Sequence, residues 1–343
     1  MKILVTAEVN ENVIKELESY GEVLIEGWGK MHRKLSEDEM IDLAKDKDIL
    51  ITSYDPITEK VIDACKNLKL IACTRANPVN IDVKAARERG IKVIFTPGRN
   101  SDCTAEYTIA MMLNISRHMA DAYMSLKNGK YLADNAADDD KFTGLKEDVT
   151  WALGPGSPYV AFKGMQLKGH ILGLIGYGSI GKKVSKIAGA FGMKIYVYDP
   201  YVSSVDINDN IIQKVTFEKL LEESDFVSCH CKVDESTRGL IGEKEFKKMK
   251  STAYFINSSR GAIVNEKALI KALREKEIAG AALDVFAEEP LAEDHPFITE
   301  LDNVFVTPHL AGATYDAIDN HTYMIVEDVK NFLNNGQLLY EYR

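Results

Sequence analysis

The chain has 343 residues, of which 45% are hydrophobic and 27% charged, and it carries a formal net charge of −10. That length is more than one hydrophobic core usually serves, so two domains are expected, and the composition excludes a disordered or fibrous chain. The acidic balance excludes a broad basic face for nucleic acid or an anionic membrane, leaving room only for a local cationic pocket.

Met1-Lys2 leads directly into a strand-like Ile3-Leu4-Val5, with no signal-peptide pattern, and no apolar run approaches the ~18 residues of a membrane helix. The five cysteines (Cys65, Cys73, Cys103, Cys229 and Cys231) follow no framework spacing. They are expected to be reduced thiols of a cytoplasmic protein.

In the N-terminal part, Ile3–Val5, Ile49–Thr52, Leu70–Cys73 and Val93–Phe95 are predicted as buried strands. Helices are predicted between them. Ser36-Glu37-Asp38-Glu39 has the capping-box pattern, Asp55-Pro56 puts a proline at a first helical position, and Gly90 closes Ile81–Arg89. Such β–α alternation implies a parallel sheet covered by helices. A long helix is predicted from about Ser101 to Asn128, connecting the domains. Residues 129–169 then lose periodicity around Asp138-Asp139-Asp140 and the turn-rich Gly154–Tyr159, which suggests a lid, a contact arm or a linker.

From His170 the alternation restarts. Strands are predicted at Ile171–Ile175, Lys194–Tyr198, Phe226–His230, Tyr254–Asn257, Ala281–Val285 and Val304–Thr307. A last helix, from about Ala313 to Asn335, cannot extend that sheet and is expected to return to the N-terminal domain. The fold class is therefore α/β with two doubly wound parallel-sheet domains. One consists of residues 1–100 plus 313–343, and the other, residues 101–312, is inserted between them.

The segment GLIGYGSIGKKV places Gly176, Gly178 and Gly181 directly after an apolar strand and at a helix start. In that context the first glycine permits a tight turn, the second lets the backbone approach a pyrophosphate, and the third allows close helix packing. The next strand ends in Asp199, 18 residues past Gly181. A carboxylate there suits the ribose hydroxyls of NAD and repels the extra phosphate of NADP.

Arg260, Glu289 and His309 each follow a later predicted strand, on the sheet edge where ligands of open α/β sheets bind. Arginine presents a rigid fork to a carboxylate, histidine exchanges a proton near neutral pH, and an adjacent carboxylate favours the protonated imidazole. Singly, each is also an ordinary surface residue; their joint order argues for an acid–base site. His230 lies between Cys229 and Cys231, but alternation on a strand points it away from both, so no metal is expected. His32, His118, His170, His295 and His321 carry no supporting motif.

With TPGRNSDCTAEYTIAMML, LGLIGYGSIGKKV, INSSRGAIVNEKALIKAL, AALDVFAEEPL and NVFVTPHLAGAT in this order, the chain resembles the D-isomer-specific 2-hydroxyacid dehydrogenase family over nearly its full length. The resemblance implies a flavodoxin-like substrate domain, an inserted Rossmann NAD domain, and a homodimer. It implies that Arg260 binds the substrate carboxylate and keto oxygen, that Glu289 partners the catalytic His309, and that Asp284 lies near the nicotinamide amide. Ser179, Ile180, Cys231 (through its backbone), Ser258, Ser259, Gly312 and Thr96 complete the implied cofactor set. Arg75, Ala76, Asn77 and Asn100, with Arg260, form the implied substrate set.

One motif departs from the family. Its substrate loop usually reads Arg-Ala-Gly-Val-Gly-x-Asp-Asn-Ile-Asp, whereas here RANPVNID, Arg75 to Asp82, is two residues shorter and has neither glycine. Pro78 removes an N–H donor and biases Asn77 toward extended geometry, so the carboxylate cradle must be rebuilt. The reading is an NAD-dependent dehydrogenase of a small D-2-hydroxy acid. The alternatives are a corepressor-like NAD(H)-binding regulator, or phosphite oxidation on the same frame; formate is disfavoured because Glu289 stands where that branch has glutamine.

Overall fold

The computed structural model describes residues 1–132, 156–205, 207 and 211–342, together with the backbone of strands at 141–143 and 150–152. Asp138-Asp139-Asp140, Gly154 and Pro155 lie outside the described residues. The chain divides into two compact units, Met1–Cys103 with Gly312–Arg343, and Thr104–Ala311.

The first unit is built on five parallel strands: β1 (Lys2–Val5), β2 (Glu22–Ile25), β3 (Ile49–Thr52), β4 (Leu70–Cys73) and β5 (Lys92–Ile94). Their order is β2-β1-β3-β4-β5. β3 and β4 are buried at every position because helices cover both faces. On one face Ile325, Val326 and Val329 of the last helix, Tyr315–Leu333, join Ile3, Val5, Ile49 and Ile51 in one core. On the other, Leu4, Leu50 and Ile71 meet Met40, Val61 and Ala86. The C-terminal helix thus belongs to this unit, and Asn10 Nδ2 donates to Asp319 on it at 2.8 Å.

The second unit holds the parallel strands β8 (Ile171–Ile175), β9 (Lys194–Tyr198), β10 (Ile212–Lys214), β11 (Phe226–Cys229), β12 (Tyr254–Asn257), β13 (Gly280–Leu283) and β14 (Val304–Val306). Their order is β10-β9-β8-β11-β12-β13-β14. The chain direction across the sheet reverses beside β8, the strand that carries the glycine motif. Between the described parts of the segment after residue 132, β6 (Lys141–Thr143) and β7 (Thr150–Ala152) pair antiparallel, and Pro158–Ala161 forms a short helix. Among the described residues no helix is long and apolar enough to cross a membrane.

Several local expectations need correction. The long helix is two, Ser101–Arg117 and Met119–Lys127, because His118 adopts a left-handed φ of 52°. Met165 N–H donates to the Ser116 carbonyl at 2.9 Å, and a Cβ on Gly164 would lie 2.0 Å from that oxygen. The returning chain therefore takes the carbonyl that would continue the helix. Pro56 does not start a helix either. Ile57 is drawn into a bridge with Ile81, and the helix begins at Glu59 behind the Thr58 side-chain cap. The unpredicted strands β2 and β10 are edge strands. Neither is fully buried, so neither needs the apolar run that betrays a central strand.

The Ser36 capping box is present, with Ser36 Oγ accepting from Glu39 N–H and the Glu39 carboxylate accepting from Ser36 N–H.

Candidate active site

The glycine turn sits at the carboxyl end of β8. Gly176 has a φ of 96°, and a Cβ there would lie 2.6 Å from Cys231 N, just past β11. Only glycine satisfies both the backbone conformation and the close approach. A Cβ on Gly181 would lie 2.5 Å from the Gly176 carbonyl oxygen, so the third glycine lets the helix Ser179–Ala190 press onto its own turn.

Gly178 is the exposed N-cap of that helix, with no side-chain cap, and a Cβ there would meet nothing within 4 Å. Ser179 is exposed and Ile180 half-buried beside it. Open space in front of uncapped N–H groups at the N-terminus of a three-turn helix fits a pyrophosphate.

Asp199 closes the other side of the turn. Its Oδ2 accepts from Tyr177 N–H and its Oδ1 from Tyr201 N–H, each at 2.8 Å. Each oxygen keeps a lone pair for a further donor, such as a ribose hydroxyl. Burial pushes the Cys231 thiol up to about 11, so its side chain stays neutral and its contribution is the backbone approach to Gly176.

Arg260, Glu289 and His309 all lie in this unit, in the loops after β12, β13 and β14. Arg260 is exposed, its Nη1 donates to its neighbour's carbonyl at 2.6 Å, and its own carbonyl accepts from Asn257 Nδ2 at 3.0 Å. It makes no ion pair among the described residues, so its charge remains available to an anion. The glycine behind it is explained by crowding: a Cβ on Gly261 would lie 1.8 Å from the Phe286 carbonyl oxygen. The loop carrying Arg260 therefore packs directly on the loop that leads to Glu289.

Glu289 Oε2 and His309 Nδ1 are 2.7 Å apart, while Glu289 Oε1 accepts from Phe286 N–H at 3.1 Å. The carboxylate is thus held by its own loop and fixes the imidazole through Nδ1. Nε2 of His309 carries no protein partner among the described residues and is the atom free to exchange a proton.

His309 has a φ of 58°, unfavourable for a residue with a side chain, and a tether holds it there. Asp284, fully buried, supplies that tether. Its carbonyl accepts from His309 N–H at 2.9 Å. Its Oδ1 accepts from Thr307 Oγ1 at 2.6 Å and Leu310 N–H at 2.7 Å, and its Oδ2 from Ala311 N–H at 2.8 Å. Sequence patterning gave Asp284 no such part, because a loop's backbone donors are invisible until the loop is folded.

Ser258 Oγ and Thr108 Oγ1 are 2.8 Å apart, and Ser259 donates to Asn257 Oδ1 through both its N–H and its hydroxyl. Asn257 thus organises the turn before Arg260. Its place at a strand end ahead of two serines is the only hint in the sequence.

The remaining predicted residues lie in the other unit. Thr96 is buried, and its N–H donates to the Arg75 carbonyl at 3.2 Å. Arg75 lies over the Tyr54 ring, 4.6 Å from its centre. Ala76 and Asn77 are exposed, and a Cβ on Gly312 would lie 2.4 Å from Asn100 Nδ2. Among the described residues no group of three or more ligand-type side chains converges on a metal position.

Residues 109–311 match the model of the D-isomer specific 2-hydroxyacid dehydrogenase NAD-binding domain. Over 332 residues the chain is 36% identical to a glyoxylate reductase of Thermococcus litoralis, covering 96% of this chain and 93% of that one. Over 340 residues it is 36% identical to a D-3-phosphoglycerate dehydrogenase of Methanocaldococcus jannaschii, covering 98% of this chain but 58% of that longer one. Among solved structures, the TT0316 protein from Thermus thermophilus superposes over all of both chains with a TM-score of 0.82 and 30% identity.

The fold is two parallel α/β units, the glycine turn matches an NAD-binding domain, and NAD(H) is the cofactor. The chain belongs to the D-isomer specific 2-hydroxyacid dehydrogenase family, whose members are NAD-dependent dehydrogenases and reductases of 2-hydroxy acids.

Proposed function

We propose that the protein interconverts a small D-2-hydroxy acid and its 2-keto acid, with Arg260 as carboxylate and keto-oxygen anchor and His309/Glu289 as the acid–base pair. The observation that carries this reading is the 2.7 Å contact between Glu289 Oε2 and His309 Nδ1, which leaves Nε2 free. Held at the turn of Gly176, Gly178 and Gly181 beside Asp199, NAD(H) would supply the hydride acceptor or donor for C2 of the acid.

The protein's own residues do the rest. In oxidation, neutral His309 accepts the hydroxyl proton at Nε2; in reduction, the doubly protonated ring delivers it to the keto oxygen. Glu289 holds Nδ1–H, fixing ring orientation in both directions and offsetting the positive charge when the ring carries two protons. Arg260, extended and free of any acid partner among the described residues, binds the reacting acid's carboxylate and polarises its keto oxygen.

The two units correspond, in this reading, to a substrate-binding domain (residues 1–100 and 313–343) and an NAD domain (residues 101–312). Gly176, Gly178, Ser179, Ile180, Gly181, Asp199, Cys231, Ser258, Ser259, Asp284, Gly312 and Thr96 serve the cofactor. Arg75, Ala76, Asn77 and Asn100 serve the substrate. The protein is also proposed to be cytoplasmic and homodimeric. The helix Met119–Lys127 buries no residue of its own and exposes Met119, Tyr123, Met124 and Leu126, as a subunit contact would. Sedimentation as a monomer at micromolar concentration would remove the dimer.

The test of the activity is a panel of 2-keto acids with NADH. At least one is expected to be reduced, and Arg260→Ala is expected to lower its kcat/KM by roughly 10²–10³-fold. NADH binding without turnover of any acid would favour the regulatory alternative.

A further inference from the structure

Tyr54, Arg75 and Arg99 follow β3, β4 and β5 in the first unit, at the carboxyl edge of its parallel sheet. Ligands of open parallel sheets bind off that edge. The Arg75 guanidinium lies over the exposed Tyr54 ring, a contact that orients the cation without neutralising it.

Arg99 is half-buried, and its Nη1 reaches only neutral acceptors, the Ala317 carbonyl at 3.4 Å and His321 Nδ1 at 3.3 Å. His321 Nε2 lies 2.8 Å from the Glu8 carbonyl and must donate to it, which makes Nδ1 the bare acceptor facing Arg99. Burial pushes His321 down to about 4, so that ring is neutral at ordinary pH.

Arg33 pairs with Glu39, Arg89 with Glu59 and Asp63, and Arg274 with Glu300. Arg75 and Arg99 make no such pair among the described residues. The other described arginines without an acid partner, Arg87, Arg117, Arg238 and Arg260, are all exposed. Burial, and the neighbouring Arg75 charge as well, lower the proton affinity of Arg99. Two neighbouring guanidinium groups, one of them half-buried and without an acid, are costly to leave unpaired.

We propose that Arg99, with Arg75 and Tyr54, forms a seat for a second oxyanion, a carboxylate or phosphate group distinct from the carboxylate assigned to Arg260. The assignment rests on the proposed function only in taking Arg260 as the site of the reacting carboxylate. The oxyanion has two sources of the same chemistry, the distal group of the substrate or a free anion.

The experiment uses the full chain in two arms. In the first, inorganic phosphate is titrated calorimetrically with NADH present to occupy the glycine turn. Wild type is expected to bind it, and Arg99→Gln and Arg75→Gln to weaken binding by about tenfold or more.

In the second arm, kcat/KM is measured for two matched pairs, oxaloacetate against 2-oxobutanoate and 3-phosphohydroxypyruvate against hydroxypyruvate. A preference of about tenfold for the charged member, lost in Arg99→Gln and partly kept in Arg99→Lys, identifies the substrate's own group. Phosphate binding that depends on Arg99, without that preference, identifies a free anion. Phosphate bound equally by wild type and both variants, or not bound at all, together with no preference, overturns the seat. If no acid is turned over, the proposed function fails and the phosphate arm alone decides the seat. If melting shows Arg99→Gln to be unfolded, the more peripheral Arg75→Gln decides both arms.

Discussion

The pair of loops after β13 and β14 and the loop from Arg75 to Asp82 are held by opposite means. In the first, one buried carboxylate and its carbonyl take four donors from the turn that carries His309, and Glu289 is pinned by its own loop. In the second, the Arg75 carbonyl accepts from Thr96 N–H at 3.2 Å, and most of the remaining ties are in the far half. Asn80 donates to the Asp55 carbonyl at 2.8 Å, and Asp82 caps the helix Val83–Glu88. Ala76, Asn77 and Val79 stand exposed, and their turn is closed by Val79 N–H to the Asn77 carbonyl at 2.9 Å and Ile81 N–H to the Pro78 carbonyl at 3.2 Å. The difference separates two tasks. Proton transfer needs atoms fixed to fractions of an ångström, and the exposed His309 and Glu289 proposed for it are tied by hydrogen bonds to the buried Asp284 and to their own loops. The proposed choice among acids needs only exposed side chains that can vary without unfolding anything.

The contrast can be broken most directly at His309. His309→Gln is expected to lower kcat by roughly 10²–10⁴-fold and to abolish one limb of the pH–rate profile. A profile that keeps the limb would place the proton donor elsewhere.

Asp284→Ala removes the acceptor of three donors, each of which costs about 1–3 kcal/mol if left unpaired in the interior. Both melting temperature and kcat are expected to fall, with kcat down roughly 10²-fold as the left-handed His309 relaxes. A melting loss with unchanged kcat would show that His309 is held without this carboxylate.

On the open loop, Asn77→Ala is expected to leave stability within about 0.5 kcal/mol and to change KM unequally across the acid panel. An equal change for every acid would deny the loop any part in selection.

The smallest effect is on stability against pH. His321 and His230 bind a proton in the fold only near pH 4, because burial disfavours the charged ring, whereas an unfolded histidine does so near 6.5. Between those values the unfolded chain holds more protons, so stability is full above about pH 6.5 and declines as pH falls toward about 4. His321→Gln is expected to flatten part of that decline in denaturant melts, and an unchanged slope would show that His321 does not contribute.

Much of this was legible in the residues. The central strands announced themselves as buried apolar runs, and the glycine fingerprint with Asp199 pointed to the proposed cofactor site because it follows an apolar strand and opens a helix. Gly261 shows where local reasoning stops: nothing near it in sequence says that the Phe286 carbonyl will lie 1.8 Å from its missing Cβ. His118 and Pro56 make the same point. Helical periodicity ran through the first and a helix-start rule favoured the second, yet a returning chain and a β-bridge overrode both. The part-buried pairing of Arg99 with His321 spans 222 positions and has no sequence signal at all.

The sequence by itself determined the parallel α/β architecture and the glycine turn, and it singled out the proposed acid, base and anchor, because these depend on local periodicity, φ preferences and side-chain chemistry. The tertiary structure decided which backbone donors Asp284 would gather and, among the described residues, which His309 nitrogen would stay free and which arginines would be left without an acid. Those outcomes depend on contacts between strand ends far apart in the chain, where burial makes every hydrogen bond or missing partner count.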